Sequence, residues 1–164
     1  MAYQYDQTED EIVSRLRLFF EVDTVDVIVE PDNDADYKRG IQNPILTVAY
    51  SGSSWPIQLS TSEGSQREEV SFLINIQART RRGALGIFSL KSTMTKALLG
   101  WKPTNLDRIY LKKFDPLGRN ADNALWFWNL EIAATKLHVQ DLPDEDLPGA
   151  TFVQGTLLNN DDLF

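Results

Sequence analysis

The clearest pattern along the chain lies between Arg67 and Gly100. Val70, Phe72, Ile74, Ile76 and Ala78 alternate with Ser71, Asn75, Gln77 and Arg79. Such alternation predicts a strand over Arg67–Thr80 with one buried and one wet face, Leu73 being the apolar exception on the wet side. Arg79-Thr80-Arg81-Arg82-Gly83 then reads as a turn and Ala84–Leu99 as a helix, with Gly100 suited to a left-handed cap. On a helical wheel Ile87, Leu90, Met94, Ala97 and Leu98 form a core stripe. Leu85, Phe88 and Leu99 make a second apolar strip beside Ser92, so this helix buries more than one side. The second strip has three candidate covers: the C-terminal segment, the first helix or a neighbouring subunit.

That first helix is expected over Thr8–Phe20. Thr8 and Glu11 have the spacing of a capping box, and Ile12, Val13, Leu16, Phe19 and Phe20 share a face. Val25–Glu30 and Pro44–Tyr50 read as strands, Pro44 at a strand start or edge. A serine-rich loop follows from Ser51 to Ser65, interrupted by an extended piece, Ile57–Leu59. Trp55 in this loop is either an interface anchor or a residue folded back on the core.

Arg108–Phe114 predicts a further strand, with Ile109 and Leu111 on one side and Tyr110, Lys112 and Phe114 on the other. Asp115–Asn123 reads as a turn region, and Leu125–Val139 as the last long strand, hairpin partner of the previous one. In it Trp126, Trp128, Leu130, Ile132 and Ala134 share a face. The apolar parity then switches to Leu137 and Val139, which suggests a bulge or an end of pairing.

The reading is therefore one α+β domain over 1–139, a mainly antiparallel sheet flanked by two helices, followed by an acidic arm over 140–164. The arm carries Phe152, Val153, Leu157, Leu158, Leu163 and Phe164, more large apolar residues than a disordered acidic tail needs. Ordering on a neighbour and simple disorder both remain open for it.

Charge sharpens the division. Residues 1–36 carry a net −9, residues 37–140 a net +7 and residues 141–164 a net −6, for −8 overall. This asymmetry speaks of signed surfaces and partners rather than of fold. The chain has no cysteine, which excludes disulfide and thiolate chemistry. Neither a signal peptide nor an apolar run of membrane-spanning length is evident.

Candidate chemistry is sparse. His138 has no neighbour in sequence that marks it as catalytic or ligating. The acidic stretch Asp32, Asn33, Asp34, Asp36 lacks the glycine and distal glutamate of a calcium loop. No local acid pair marks a dyad. No enzyme, cofactor or metal site is expected. Arg79, Arg81 and Arg82, with Lys112 and Lys113, can form a phosphate-binding patch. However, the exposed aromatics are not interleaved with bases, and the chain as a whole is acidic. Pairing of these arginines with carboxylates of another subunit is the preferred reading.

The order of elements, with YKRGIQNPILTVAYSGS, EEVSFLINIQARTRRG, LGWKP and the late NLEIAATKLHV, resembles tail proteins of Mu-like contractile-tailed bacteriophages. More narrowly, residues 8–139 resemble their tail terminator, or tail completion, family. The resemblance implies a structural virion protein forming a ring, usually a hexamer, that caps the head-proximal end of the tail tube and sheath. Such a ring stops tail polymerisation and joins the tail to neck or connector proteins. DNA passes its lumen without sequence reading, and assembly takes place in the host cytoplasm. The partners implied are the chain itself, tube and sheath proteins, and the neck, with no membrane. Another head–tail joining protein, or a nucleic-acid-binding domain using the Arg79–Arg82 turn, are the alternatives. The subunit or tube contacts expected from the wheel and charge arguments are Arg79, Arg81, Arg82, Leu85, Phe88, Leu99 and Trp55. Phe152, Val153, Leu157, Leu158, Leu163 and Phe164 are expected as arm contacts.

Overall fold

The computed structural model describes residues 5–33, 43–56, 64–122 and 124–139, with the backbone also at 57–60. The elements are α1 (Tyr5–Arg17), β1 (Asp26–Val29), β2 (Ile45–Ser60), β3 (Ser65–Ala78), α2 (Ile87–Leu98), β4 (Tyr110–Asn120) and β5 (Leu125–Val139). The strands form one five-stranded sheet in the order β1-β2-β3-β5-β4, parallel only between β1 and β2. The fold is α+β, mainly antiparallel with two helices.

Both helices lie on the face that carries the even-numbered residues of β3. Val70, Phe72, Ile74, Ile76 and Ala78 are buried there with Ile12, Val13 and Leu16 of α1. The α2 residues Ile87, Leu90, Met94, Ala97 and Leu98 complete this core, the stripe read from the wheel. Each fully buried Ile, Leu or Phe removes enough apolar surface from water to contribute about 1.5–3 kcal/mol. Gly100 ends the helical segment with φ 77, as a left-handed cap requires.

Tertiary contacts move several boundaries. α1 begins at Tyr5, so Thr8 lies buried within the helix and the capping box is not formed. Glu9 instead accepts the Tyr50 backbone N–H at 2.5 Å, and Glu11 accepts that of Thr104 at 2.8 Å. The Tyr5 ring stacks on Tyr50 at 4.1 Å, which holds the extra turn. The helix stops at Arg17, leaving Phe19 beyond it and 40% exposed. α2 starts at Ile87 rather than Ala84. Before it, Ile87 and Phe88 donate backbone bonds to the Thr80 and Arg81 carbonyls, so the turn runs from Arg79 to Gly86.

Proline and glycine mislead at both sheet edges. The serine-rich stretch is strand: β2 continues to Ser60 and pairs with β3 throughout. Pro56 falls in an irregularity between Ser54 and Ile57, where no ladder donor is needed. β1 pairs with β2 only as far as Val48, so this part of β2 is itself an edge. β4 likewise runs to Asn120 through a bulge at Pro116–Gly118, and the turn narrows to the residues around 121–124. A second bulge between Leu111 and Lys113 resets the parity, so Leu111 and Phe114 both face the core, and Lys112 leaves that face. At Ala133 the pairing with β4 ends, the end of pairing that the parity switch suggests, whereas β3 and β5 pair without a shift from Ala78–Trp126 to Ser65–Val139.

Gly86 is buried, and a Cβ built there meets the Arg82 backbone carbonyl at 2.5 Å. Gly86→Ala is therefore expected to cost about 1–3 kcal/mol by overpacking. A fall in Tm of several degrees by calorimetry checks this, and an unchanged Tm refutes it.

Candidate functional site

Two side-chain clusters stand apart from the apolar core. The first surrounds Glu68, which continues the buried face of β3 but is charged, and is 1% exposed. His138 pairs across the ladder with Gln66, which makes it a diagonal neighbour of Glu68, whose direct partner is Lys136. His138 Nε2 lies 2.5 Å from Glu68 Oε2, and the Tyr5 hydroxyl donates to Oε1 at 3.0 Å. The Tyr50 and Ser53 hydroxyls are joined at 2.7 Å. Burial pushes the Glu68 carboxyl up, but hydrogen bonds from Ser53, His138 and Tyr5 outweigh it and hold the group below the usual carboxylate value. The isolated histidine of the sequence thus gains a carboxylate partner seventy positions away. Tyr5 of α1, Ser53 of β2 and His138 of β5 all bond Glu68, and the cluster ties α1 and β2 onto the strand.

The second cluster lies where the far ends of β4 and β5 emerge beside α2. Arg81 and Arg119 both place their guanidinium groups over the Trp126 ring, at 4.7 and 5.5 Å from its centroid. Phe88 meets Trp128 edge-on at 5.8 Å, Phe114 stacks on Trp128 at 4.7 Å, and Lys91 sits 4.9 Å over Phe114. An open groove of about 760 Å³ follows these rings, bounded by Lys91, Ser92, Thr95 and Lys96. The result is a strip in which cations and aromatic rings alternate. They do interleave, contrary to the sequence reading, because the sheet brings together segments separated in the chain.

The predicted contact residues divide between these surfaces. Arg79, Arg81 and Arg82 are exposed at the α2 end of β3. Lys112 and Lys113 do not join them. They sit roughly 20 Å away, about six or seven strand residues down the sheet, and are already paired. Lys112 contacts Glu69 at 2.7 Å and Glu131 at 3.5 Å, and Lys113 contacts Asp115 at 2.6 Å. Tyr110 also donates to Glu69, and burial together with that bond pushes its hydroxyl pKa up to about 12. The five-base phosphate patch is therefore not assembled. Leu85, Phe88 and Leu99 stand 42%, 43% and 58% exposed, Leu85 lying before α2 and Leu99 just after it, so the described residues leave all three partly open. Trp55 is half exposed on β2 rather than folded into the core. Phe152, Val153, Leu157, Leu158, Leu163 and Phe164, with most of the acidic stretch after Asp32, lie outside the described residues.

The sequence reading missed Trp126, Trp128, Phe114, Lys91, Lys96 and Arg119 as surface. Parity assigned both tryptophans to the core, which is half right, since they pack against it but remain partly open. The available signal was length. The twelve residues of α2 are too short to cover a fourteen-residue β3 and its neighbours.

Glu68→Gln is expected to destabilise the fold at neutral pH by about 1–3 kcal/mol, the cost of loosening a buried hydrogen-bonded charge. A carboxyl held low in the folded state contributes stability above its unfolded pKa and loses it as pH falls through the folded one. The gap between variant and wild type in thermal melts should therefore narrow on acidification. A gap independent of pH would refute the assignment.

Comparison with known proteins bears on the whole chain. No curated protein matches it. Among solved structures, a chain described as "Virion of native gene transfer agent (GTA) particle" aligns at TM-score 0.48 with 11% identity, over 84% of this chain and 100% of that one. The family model described as Gp37 protein matches residues 12–154, most of the length, and the chain belongs to that family.

Proposed function

We propose that this chain is a structural subunit of a phage-type virion, with a ring-forming, tail-terminator role at the head-proximal end of the tail. The observation that carries this reading is the exposure of two unlike apolar surfaces on opposite faces of the sheet. One is Phe88 of α2 with Leu85 just before the helix and Leu99 just after it, on the helix side. The other is Leu137 and Val139, 48% and 64% exposed, at the end of β5. Their cross-strand partners are Arg67 and Ser65, on the face away from the helices. Large apolar side chains exposed on both faces offer places for association. Two different patches suit a heterologous, head-to-tail contact, which closes into a ring when the rotation per subunit allows.

The ring would cap the tube and sheath and join them to neck or connector proteins, with a hexamer as the expected closure and DNA passing through its lumen. Assembly would take place in the host cytoplasm. The resemblance noted over residues 8–139 supports the terminator role. Arg79, Arg81 and Arg82, projecting beside the α2 strip, are suited to carboxylates of the next subunit or of the tube. Another head–tail joining protein would use the same surfaces and is the second reading.

Phe88→Asp is expected to lower the oligomer mass in light scattering while circular dichroism stays native. Because Phe88 also touches Trp128, Leu85→Asp serves as the second variant. Unchanged mass in both defeats the interface. Electron microscopy of particles lacking the protein separates the two roles: overlong tails indicate termination, whereas tails of normal length without heads indicate joining alone.

A further inference from the structure

The strip of rings and bases beside α2 has a matching sequence in the same chain. Residues 141–164 contain six acids and no base, together with Phe152, Val153, Leu157 and Leu158. We infer that the groove bounded by Phe88, Lys91, Lys96, Phe114 and Trp128 receives the acidic, apolar C-terminal segment of a neighbouring copy. The inference rests on the assembly reading above and names the contact that reading leaves open.

Charge complementarity is the first argument. The groove presents Lys91 and Lys96 at its edge, with Arg81 and Arg119 on the same strip. None of these four bases has a carboxylate within ion-pair distance among the described residues. The side chains bounding the groove include no acid. A segment carrying both acids and large apolar groups satisfies the cations and covers Phe88 together.

The course of the chain is the second argument. Trp128 lies near the start of β5, and the strand then runs away from the groove for eleven residues, roughly 36 Å. It ends on a three-stranded extension of β2, β3 and β5. Trp55, Leu137 and Val139 stand exposed on that extension. The C-terminal segment is thus delivered to the opposite end of the sheet from its own groove. Its twenty-five residues span at most about 90 Å, ample for reaching an adjacent copy.

Single-stranded nucleic acid is the competing occupant for a cation–aromatic strip. Base stacking needs open ring faces. Here Phe114 and Trp128 stack on each other, Lys91 lies over Phe114, and both arginines lie over Trp126. The faces are occupied within the chain, which favours a peptide with acidic and aliphatic side chains.

The absence of cysteine makes the test direct. Full-length chains carrying Ser92→Cys and full-length chains carrying Val153→Cys are mixed, assembled and oxidised. A covalent dimer joining the two positions is expected, at a yield reduced several-fold when Lys91→Glu and Lys96→Glu are added to the Ser92→Cys chain. A control pairing Ser14→Cys, on the exposed side of α1, with Val153→Cys should give no such product. An assembled oligomer without the 92–153 link overturns this inference alone. A wild type that stays monomeric by light scattering in the presence of tails overturns the assembly reading with it. If one chain carrying both cysteines closes only on itself, the neighbour is excluded. If single-stranded DNA binds and abolishes the link, the groove belongs to nucleic acid.

Discussion

The uninterrupted register between β3 and β5 is the constraint on which the rest of the structure depends. Fourteen residues of β3 pair antiparallel with β5, from Ser65–Val139 to Ala78–Trp126, with no shift between them. Because the side-chain period is two, a slip of one residue would turn Phe72, Ile74 and Ile76 outward and expose Ser71 and Asn75 to the helices. The same register holds Asn75 opposite Asn129, whose amides bond at 3.0 Å on the other face. It places His138 diagonally beside Glu68, and both tryptophans at the margin of α2, where Phe88 meets Trp128 only edge-on. Both clusters outside the apolar core are consequences of one pairing.

The polar network and the apolar core act on the register in different ways. The core is held by area removed from water, which tolerates small shifts in who touches whom. Glu68 tolerates none, because a buried carboxylate without donors is costly. Tyr5 reaches it from α1, Ser53 from β2 and His138 from β5, so three separate elements must arrive together. Such a group adds little net stability but penalises wrong arrangements. At the opposite end of the sheet the described side chains meet through ring and cation contacts rather than a buried carboxylate, and remain partly open.

Much of this organisation was legible in the sequence, and the failures have identifiable causes. The core stripe of α2 and the buried face of β3 follow from periodicity, because burial there is one-sided and regular. The left-handed cap at Gly100 follows from residue type. Strand extents failed where the serine-rich stretch holding Pro56 was read as a loop and the stretch holding Pro116 as a turn. A proline is excluded only where its missing N–H leaves a ladder partner unpaired, and both sit at bulges on edge segments. Parity failed at Lys112 because a bulge residue carries no pattern of its own. The capping box failed because Glu9 and Glu11 bind backbone N–H groups forty-one and ninety-three positions away, which no local window contains. The candidate site was half legible. The Leu85, Phe88, Leu99 strip followed from the wheel, whereas its neighbours on β4 and β5 depended on a sheet order that sequence alone does not fix.

The strip beside α2 is better understood as a binding surface than as a device for stability. An exposed cation–π contact contributes about 0.5–1 kcal/mol, and an exposed apolar side chain contributes little to a core it does not enter. Replacing Phe88 by a lysine or glutamate would remove little from the fold, yet the chain retains a ring there at 43% exposure. Among the described residues the bases around it also lack the carboxylates that Lys112 and Lys113 possess on the other face of the same strands. One face of the β4–β5 hairpin has therefore paired its charges internally, and the other keeps its cations and rings for something outside the described fold. With a net −6 carried on the chain's last twenty-four residues, an acidic partner is available wherever two copies meet.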